Sequence, residues 1–190
     1  MIEKTTTNQL DNFLSESMQQ ALDDNFQNTL CTVKHVTDNI GDKEYDKFIL
    51  VTISSIRFKC LVFLHFQDNN NLKDFIYDAR GITDKLNDQL FYDYLSEMSN
   101  TFAGSLKRKL EYSFPVIGMS TPKLLDQNAL DFFLKNNPSY IIRTEANLNS
   151  QFRLEGSFLL YLDNNYDFNL KAPATNSDDD SMESGELLLF

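Results

Sequence analysis

The sequence predicts an α+β domain in which an antiparallel-rich sheet packs against two long helices. Segments 8–26 and 84–111 carry apolar residues at three- and four-residue steps, which is the spacing of an amphipathic helix. Segments 48–66, 139–148 and 152–162 are rich in β-branched and aromatic residues, which is typical of strands. Together these observations predict helices that cover a sheet of paired strands.

The first helix, 8–26, has a clear apolar side. This side consists of Leu10, Phe13, Leu14, Met18, Ala21 and Leu22. A strand pair follows at 48–54 and 56–66, with Ser54-Ser55 either at the turn or in a bulge. Because alternate residues of a strand share one face, the second strand should bury Ile56, Phe58, Cys60, Val62, Leu64 and Phe66.

A shorter helix at 72–80, ending at Gly81, precedes the second long helix. Thr83 or Asp84 then begins the long helix over residues 84–111. Its apolar stripe consists of Leu86, Leu90, Phe91, Tyr94, Leu95, Met98, Phe102, Leu106 and Leu110. The stripe should face the core and leave the opposite side of the helix in water.

Proline shapes the segment after the long helix. Pro115 and Pro122 disfavour a helix over 113–122, so this segment should be extended. Residues 125–136 predict a helical turn or two before the last pair of strands, which is joined near Asn149-Ser150. The chain therefore returns from the long helix to the sheet along an extended segment.

Composition and charge narrow the classes of function. Of the 190 residues, 42% are hydrophobic, and the formal net charge is −11. This fits one globular domain, and the acidity argues against nucleic acids and membrane surfaces as partners, because both are bound through Lys and Arg. The apolar segment 47–66 is a poor membrane span, since Arg57 and Lys59 lie in its middle. With no apolar signal segment near the start, we expect a cytoplasmic protein.

Residues 1–170 are predicted to form the folded domain and residues 171–190 an acidic tail. From residue 172 onward the tail carries five acidic residues and no Lys or Arg, a composition typical of disorder. Its apolar end, ELLLF at 186–190, is compatible with a free tail, with packing onto a neighbouring chain or with a docking peptide.

The cysteines and histidines are predicted to be structural. Cys31 and Cys60 lack the C-x-x-C spacing of a zinc site. His35 and His65 have no clear Asp or Cys companion in the sequence. We therefore expect no metal ion bound by the protein itself.

One side of the long helix carries polar residues in a line. Glu97 and Asn100 lie three residues apart, so they are neighbours on the surface that faces away from the apolar stripe. The line continues with Asp93, Gly104, Lys107 and Arg108. It is acidic at one end and basic at the other, and the glycine leaves room for another group to approach. Such a face is common by chance, so it does not by itself name a partner.

Three short patterns follow one another between residues 97 and 122: E-x-x-N, an alanine-glycine pair and V-x-G-x-S-x-P. They are formed by Glu97, Asn100, Ala103, Gly104, Val116, Gly118, Ser120 and Pro122. In this order and spacing they resemble the CheC/CheX/FliY family of bacterial chemotaxis phosphatases. The resemblance extends over residues 8–165. The single E-x-x-N helix makes CheX the nearer relative, since CheC-type members carry two such helices.

The resemblance implies an enzyme that hydrolyses the aspartyl phosphate of a CheY-type response regulator without a covalent intermediate. It implies that Asn100 orients the attacking water and that Glu97 engages the lysine of the regulator's active site. Mg²⁺ belongs to the regulator, so no cofactor of the protein's own is expected. Asp93, Gly104, Lys107 and Arg108 are the expected contacts around the pair. A homodimer formed through sheet edges or strand exchange is also expected.

A catalytically idle module that binds a response regulator or forms a dimer is the alternative. The family includes non-enzymatic relatives in the flagellar switch, and a fold does not imply activity. The loop at 68–71, the segment 125–138 and the acidic tail also depart from the family pattern. The two hypotheses differ at Asn100, because the phosphatase requires its amide to be accessible and unpaired in the free protein.

Overall fold

The predicted α+β class is confirmed by a computed structural model. The structure describes residues 2–27, 29–36, 45–83, 88–163 and 166–171. The helices are α1 (Lys4–Asn25), α2 (Asn70–Ala79), α3 (Asp88–Glu111) and α4 (Leu130–Leu134). The strands are β1 (Cys31–Val36), β2 (Lys47–Ser54), β3 (Phe58–Phe66), β4 (Gly118–Met119), β5 (Lys123–Asp126), β6 (Tyr140–Leu148) and β7 (Phe152–Leu162). The predicted tail lies outside the described residues from residue 172 onward, as does the predicted start of the long helix at 84–87.

Within the described residues, all seven strands belong to one antiparallel sheet. Its order is β1-β6-β7-β3-β2-β4, and β5 also pairs with β2. The two predicted hairpins, β2–β3 and β6–β7, meet where β3 pairs with β7. Turns of a few residues connect each hairpin, so these pairings need little loop-closure entropy.

The two long helices cover one face of the sheet. Helix α1 packs on β1 and β6, α3 packs on β2, and the two helices also contact each other. Their apolar stripes are buried against the strands, with Leu14, Met18, Leu95 and Phe102 almost fully excluded from water. At Gly156 on β7 the ring of Phe102 comes so close that an added Cβ would lie 2.9 Å from its Cζ atom. The glycine therefore sets how closely α3 approaches the sheet.

The other face of the sheet is also partly covered, which the sequence did not predict. Helix α4 places Leu130 and Phe133 over an apolar group on β2 and β3 that includes Phe48 and Phe63. As a result β3 is buried at every position except Lys59. The alternation along β3 correctly predicts one buried face, but it does not reveal that the opposite face is buried as well.

Several details differ from the sequence prediction. Residues 125 and 126, predicted to begin a helical segment, are the end of strand β5. Helix α1 begins at Lys4 rather than at residue 8. Ile56 is 90% exposed and lies in the turn, because the Ser55 hydroxyl accepts hydrogen bonds from the backbone N–H groups of Arg57 and Phe58. Leu90, placed in the apolar stripe, is exposed. Strand β1 was not predicted, although Cys31, Thr32, Val33 and Lys34 alternate between apolar and polar residues.

His65 is buried in a polar group beneath α4. Its Nε2 lies 2.7 Å from Ser157 Oγ and its Nδ1 lies 3.1 Å from Gln127 Oε1. Beside it, Arg143 donates from Nε to Glu155 Oε1 at 2.8 Å, and both of these side chains are buried. Burial lowers the pKa of His65 and so favours the neutral ring, which serves as a hydrogen-bonding partner in the core. This placement agrees with the structural role expected from the sequence.

Candidate functional site

An open depression of about 440 Å³ lies between α3 and the segment that follows β4. Its walls are formed by Ser96, Glu97, Asn100, Met119, Ser120, Thr121 and Pro122. Two of the sequence patterns, separated by about twenty residues of chain, therefore meet at one place. Ser96, Met119 and Thr121 were not singled out from the sequence. Val116 and Gly118 of the third pattern do not line the depression.

The polar pair on α3 is free to contact a partner. The stripe formed by Phe91, Leu95, Met98 and Phe102 is fully buried, so the intervening turns present Glu97 and Asn100 to solvent. Neither side chain makes a hydrogen bond or ion pair with any residue that the structure describes. Asn100 therefore has an accessible amide with no partner among the described residues, and its catalytic role stays a prediction.

The opposite wall of the depression is an interrupted edge strand. Strand β4 pairs Met119 with Ile53, and β5 resumes the ladder by pairing Lys123 with Leu50. Between these two pairs the edge strand runs four residues, from Met119 to Lys123, whereas β2 runs only three, from Leu50 to Ile53. One extra residue on one strand of a pair is the arrangement of a β-bulge. The extra residue turns the segment 120–122 toward α3.

Ser120 holds this bulge in place. Its N–H donates to the Thr52 carbonyl at 2.9 Å, and its side-chain oxygen accepts the Thr52 N–H at 3.0 Å. The hydroxyl in turn donates to the Thr121 carbonyl at 3.0 Å. Pro122 has no N–H to offer, so it fits where the ladder is broken. The serine and proline of the third pattern thus have a structural reason to stand beside the E-x-x-N helix.

The residues expected to contact a partner lie along the outer side of α3. Asp93 is exposed and accepts a hydrogen bond from Gln89 Nε2 at 2.6 Å. Lys107 forms an ion pair with Glu111, one turn further on. Arg108 is exposed and makes no ion pair with the described residues. None of these residues lines the depression, so their role as partner contacts stays a prediction.

Gly104 is open on the side that faces away from the sheet. An added Cβ would meet only the Arg108 Nη1 atom, at 3.9 Å. We therefore expect Gly104→Ala to raise the free energy of unfolding by up to about 1 kcal/mol, because alanine is the better helix former. Denaturant unfolding measures this change. A loss of stability would show that the glycine is required by contacts within the protein itself.

A network of charges holds the beginning of α3 against the sheet. Tyr92 donates to Asp68 Oδ2 at 2.8 Å, and the Lys73 ammonium lies 3.1 Å from Asp68 Oδ1 and 3.1 Å from Asp88. Lys47 of β2 approaches the same carboxylate at 3.4 Å. Burial acts to raise the pKa of Asp68, but the hydrogen bond from Tyr92 and the Lys73 ammonium outweigh it and hold the pKa below its ordinary value.

This network predicts a dependence of stability on pH. A lowered pKa in the folded state means that Asp68 stabilises the protein above the ordinary aspartate value of about 3.9, and that this contribution disappears as the pH falls further. We expect Asp68→Asn to cost about 1–2 kcal/mol at neutral pH and almost nothing in strong acid. Unfolding curves across pH test this, with the exposed Asp74→Asn as the matched control. An equal cost at every pH would contradict the electrostatic role.

Comparison with known proteins finds structures with the same fold but no relative by sequence. No protein-family model and no curated protein matches the sequence. CheX from Vibrio vulnificus superposes with a TM-score of 0.56 at 17% identity, over 80% of this chain and 99% of that one. The fold is that of the CheC/CheX/FliY family. The predicted CheX-like fold is thereby confirmed.

Two further structures with the CheX-like fold extend the comparison. A chain of the CheX–CheY–BeF3–Mg²⁺ complex from Borrelia burgdorferi has a TM-score of 0.58 at 13% identity, over 78% of this chain and 96% of that one. FliY from Thermotoga maritima has a TM-score of 0.52 at 13% identity, over 84% and 91% of the two chains. Identities this low establish a shared fold, and activity has to be argued from the site.

No group of three or more His, Cys, Asp or Glu side chains in the described part of the chain is arranged to hold a metal ion. No helix in the same residues is long and apolar enough to cross a membrane. Cys31 and Cys60 are free thiols, and burial raises the pKa of both.

Proposed function

We propose that this protein is a CheX-like phosphatase that hydrolyses the aspartyl phosphate of a CheY-type response regulator. The observation that carries the proposal is the free, exposed Glu97/Asn100 pair on a rigid helix beside an open depression. The CheX-like fold and the complex of a similarly folded CheX with CheY support this partner. Asn100 is the catalytic residue and Glu97 the anchoring residue in this proposal.

The residue types suit the chemistry. Phosphoryl transfer needs positioning and charge stabilisation more than covalent help. A side-chain amide both donates and accepts hydrogen bonds, so Asn100 can align a water molecule without competing as a nucleophile. The Glu97 carboxylate, one turn away, offers a charge-assisted hydrogen bond to an ammonium group of the regulator. The regulator supplies the Mg²⁺ that neutralises the phosphoryl oxygens, so the protein needs no metal of its own.

The decisive experiment measures the decay of phosphorylated CheY-type regulators from the same cell. The proposal predicts faster decay of at least one regulator when the protein is added in catalytic amount. Binding without faster decay would replace the proposal by the idle module. The absence of both binding and faster decay, across all regulators tried, would overturn both.

The proposed anchoring role of Glu97 can be tested separately, through the affinity for the regulator. Glu97→Lys places a cation opposite the regulator's lysine, so we expect the affinity for the regulator to fall by about tenfold or more, which is about 1.4 kcal/mol. Asp74→Lys on α2 makes the same charge change at an exposed position outside the depression and serves as the control. Equal losses of affinity in the two variants would attribute the effect to overall charge and not to docking at Glu97.

The expected homodimer remains a prediction. In the described residues β1 pairs only with β6, and β4 and β5 pair only with β2, so both edges of the sheet have unpaired backbone groups. An open edge is a ready site for pairing with a second chain. Light scattering of the purified protein tests this, because a dimer has twice the 22.0 kDa mass of the chain.

A further inference from the structure

The last described residue, Lys171, lies beside the C-terminal end of α3. The Lys171 N–H donates to Ser113 Oγ at 2.9 Å, and Gln9 Nε2 donates to the Lys171 carbonyl at 3.0 Å. Just before it, Phe168 is buried against the rings of Phe58 and Phe114. Because Ser113 is two residues beyond the end of α3, the chain continues into residues 172–190 from a point beside that end of the helix.

We use the name exit surface for four solvent-accessible residues in the last turns of α3 and just beyond its end. They are the cations Lys107 and Arg108 and the apolar or aromatic residues Tyr112 and Val116. Glu111 forms an ion pair with Lys107, whereas Arg108 makes no ion pair with the described residues. Tyr112 and Val116 are 55% and 81% exposed, so their side chains are accessible to a docking segment.

Residues 172–190 match this surface in charge and in hydrophobicity. They carry Asp178, Asp179, Asp180, Glu183 and Glu186, no Lys or Arg, and an apolar end formed by three leucines and a phenylalanine. We propose that this segment docks on the exit surface of its own chain and competes with the partner for the outer side of α3. The acidic residues lie against Arg108 and Lys107, and the apolar residues lie against Tyr112 and Val116.

The geometry allows this docking. Asp178 is seven residues beyond Lys171, so it reaches up to about 25 Å from that anchor. The distance along α3 from Glu111 back to Asn100 is shorter, about 17 Å at 1.5 Å per residue. Attachment at the anchor also gives the segment an effective concentration in the millimolar range, so even a weak interaction is populated.

The strength of the contact follows from its exposure. Ion pairs at exposed positions are worth little and are screened by salt, so the docked state is expected to be reversible. The segment therefore acts as an intramolecular competitor that a tightly binding partner displaces, and not as a permanent cover. The competition rests on the proposed function, whereas the docking itself does not.

The test of docking uses the full chain with the five acidic residues replaced by their amides. Backbone amide chemical shifts of residues 104–114 and of Val116 are compared between this neutral-tail variant and the unaltered protein. The shifts should differ at low salt and converge at about 0.5 M salt, where screening is strong. Identical shifts at low salt would overturn the proposal. Shift differences that grow with protein concentration would also overturn it, because they would assign the docked segment to a second copy.

Single charge reversals on the domain locate the docking site. Arg108→Glu should remove the chemical-shift difference between the protein with the acidic tail and the neutral-tail variant. Lys135→Glu, at the end of α4 on the other side of the sheet, should leave the difference unchanged and is the matched control. Equal effects of the two reversals would assign the difference to overall charge and overturn the assignment to the exit surface.

Regulator dephosphorylation gives an independent readout of the competition. The neutral-tail variant should have a KM lower by about threefold to tenfold with kcat unchanged, because only docking is relieved. An unchanged KM, with the tail shown to dock, would overturn the competition. If no regulator is dephosphorylated by either protein, the proposed function fails, while the chemical shifts still decide whether the segment docks.

Discussion

Replacing Asn100 by alanine is expected to reduce regulator dephosphorylation by about a hundredfold or more, because the attacking water then loses the group that aligns it. The amide is exposed and has no partner among the described residues, so its removal costs the free protein little. The thermal midpoint should stay close to that of the unaltered protein, in line with the ±0.5 kcal/mol typical of surface substitutions. Affinity for the regulator should change much less than kcat, since Glu97 keeps the docking contact.

The controls for this prediction separate catalysis from general damage to the helix surface. Asn12→Ala on α1 removes another exposed helical asparagine that does not line the depression, and it should leave activity unchanged. Asn100→Asp keeps the size of the side chain but adds a negative charge next to a phosphoryl group, so it should also be inactive. Full activity of Asn100→Ala would remove Asn100 from the catalytic role even if the protein is a phosphatase.

Gly156→Val is expected to produce the largest loss of stability, about 2–3 kcal/mol, because the added atoms have no room between β7 and α3. A Cβ at this position would lie 2.9 Å from Phe102 Cζ and 3.1 Å from Thr144 Cγ2. Valine is a better strand former than glycine, so propensity alone predicts the opposite sign. Phe102 lies two residues after Asn100, so a shift of its ring also displaces the side of α3 that carries Glu97 and Asn100. On the proposed function, this displacement should lower kcat.

Two further variants test this explanation. In the background of Gly156→Val, Phe102→Leu frees space above the strand and should recover part of the lost stability, a coupling that a double-mutant cycle measures. Gly104→Ala, on the open side of the same helix, should be neutral or stabilising. A Gly156→Val protein as stable as the unaltered one would mean that α3 does not approach β7 as closely as the structure shows.

The sequence by itself determined the local elements and their exposed faces. Periods of three to four residues in 8–26 and in the long helix reveal which side of each helix meets the core, since helix geometry repeats at that interval. The strands of both hairpins were predicted because alternation and β-branched residues are properties of one short segment, and they can be recognised without knowledge of its partner strand. The Glu97/Asn100 face followed from the same periodicity, as the side of α3 opposite its buried stripe.

Only the tertiary structure decided which distant segments meet. It added β1 at the edge of the sheet, covered the second face of β3 with α4, and placed Ile56 in a turn held by Ser55. It also created the depression, because the bulge at Ser120 depends on the register of β4 and β5 against β2. Register and layer packing are set by contacts between residues far apart in the chain. The pattern within one segment therefore does not determine which other segment it pairs with or packs against.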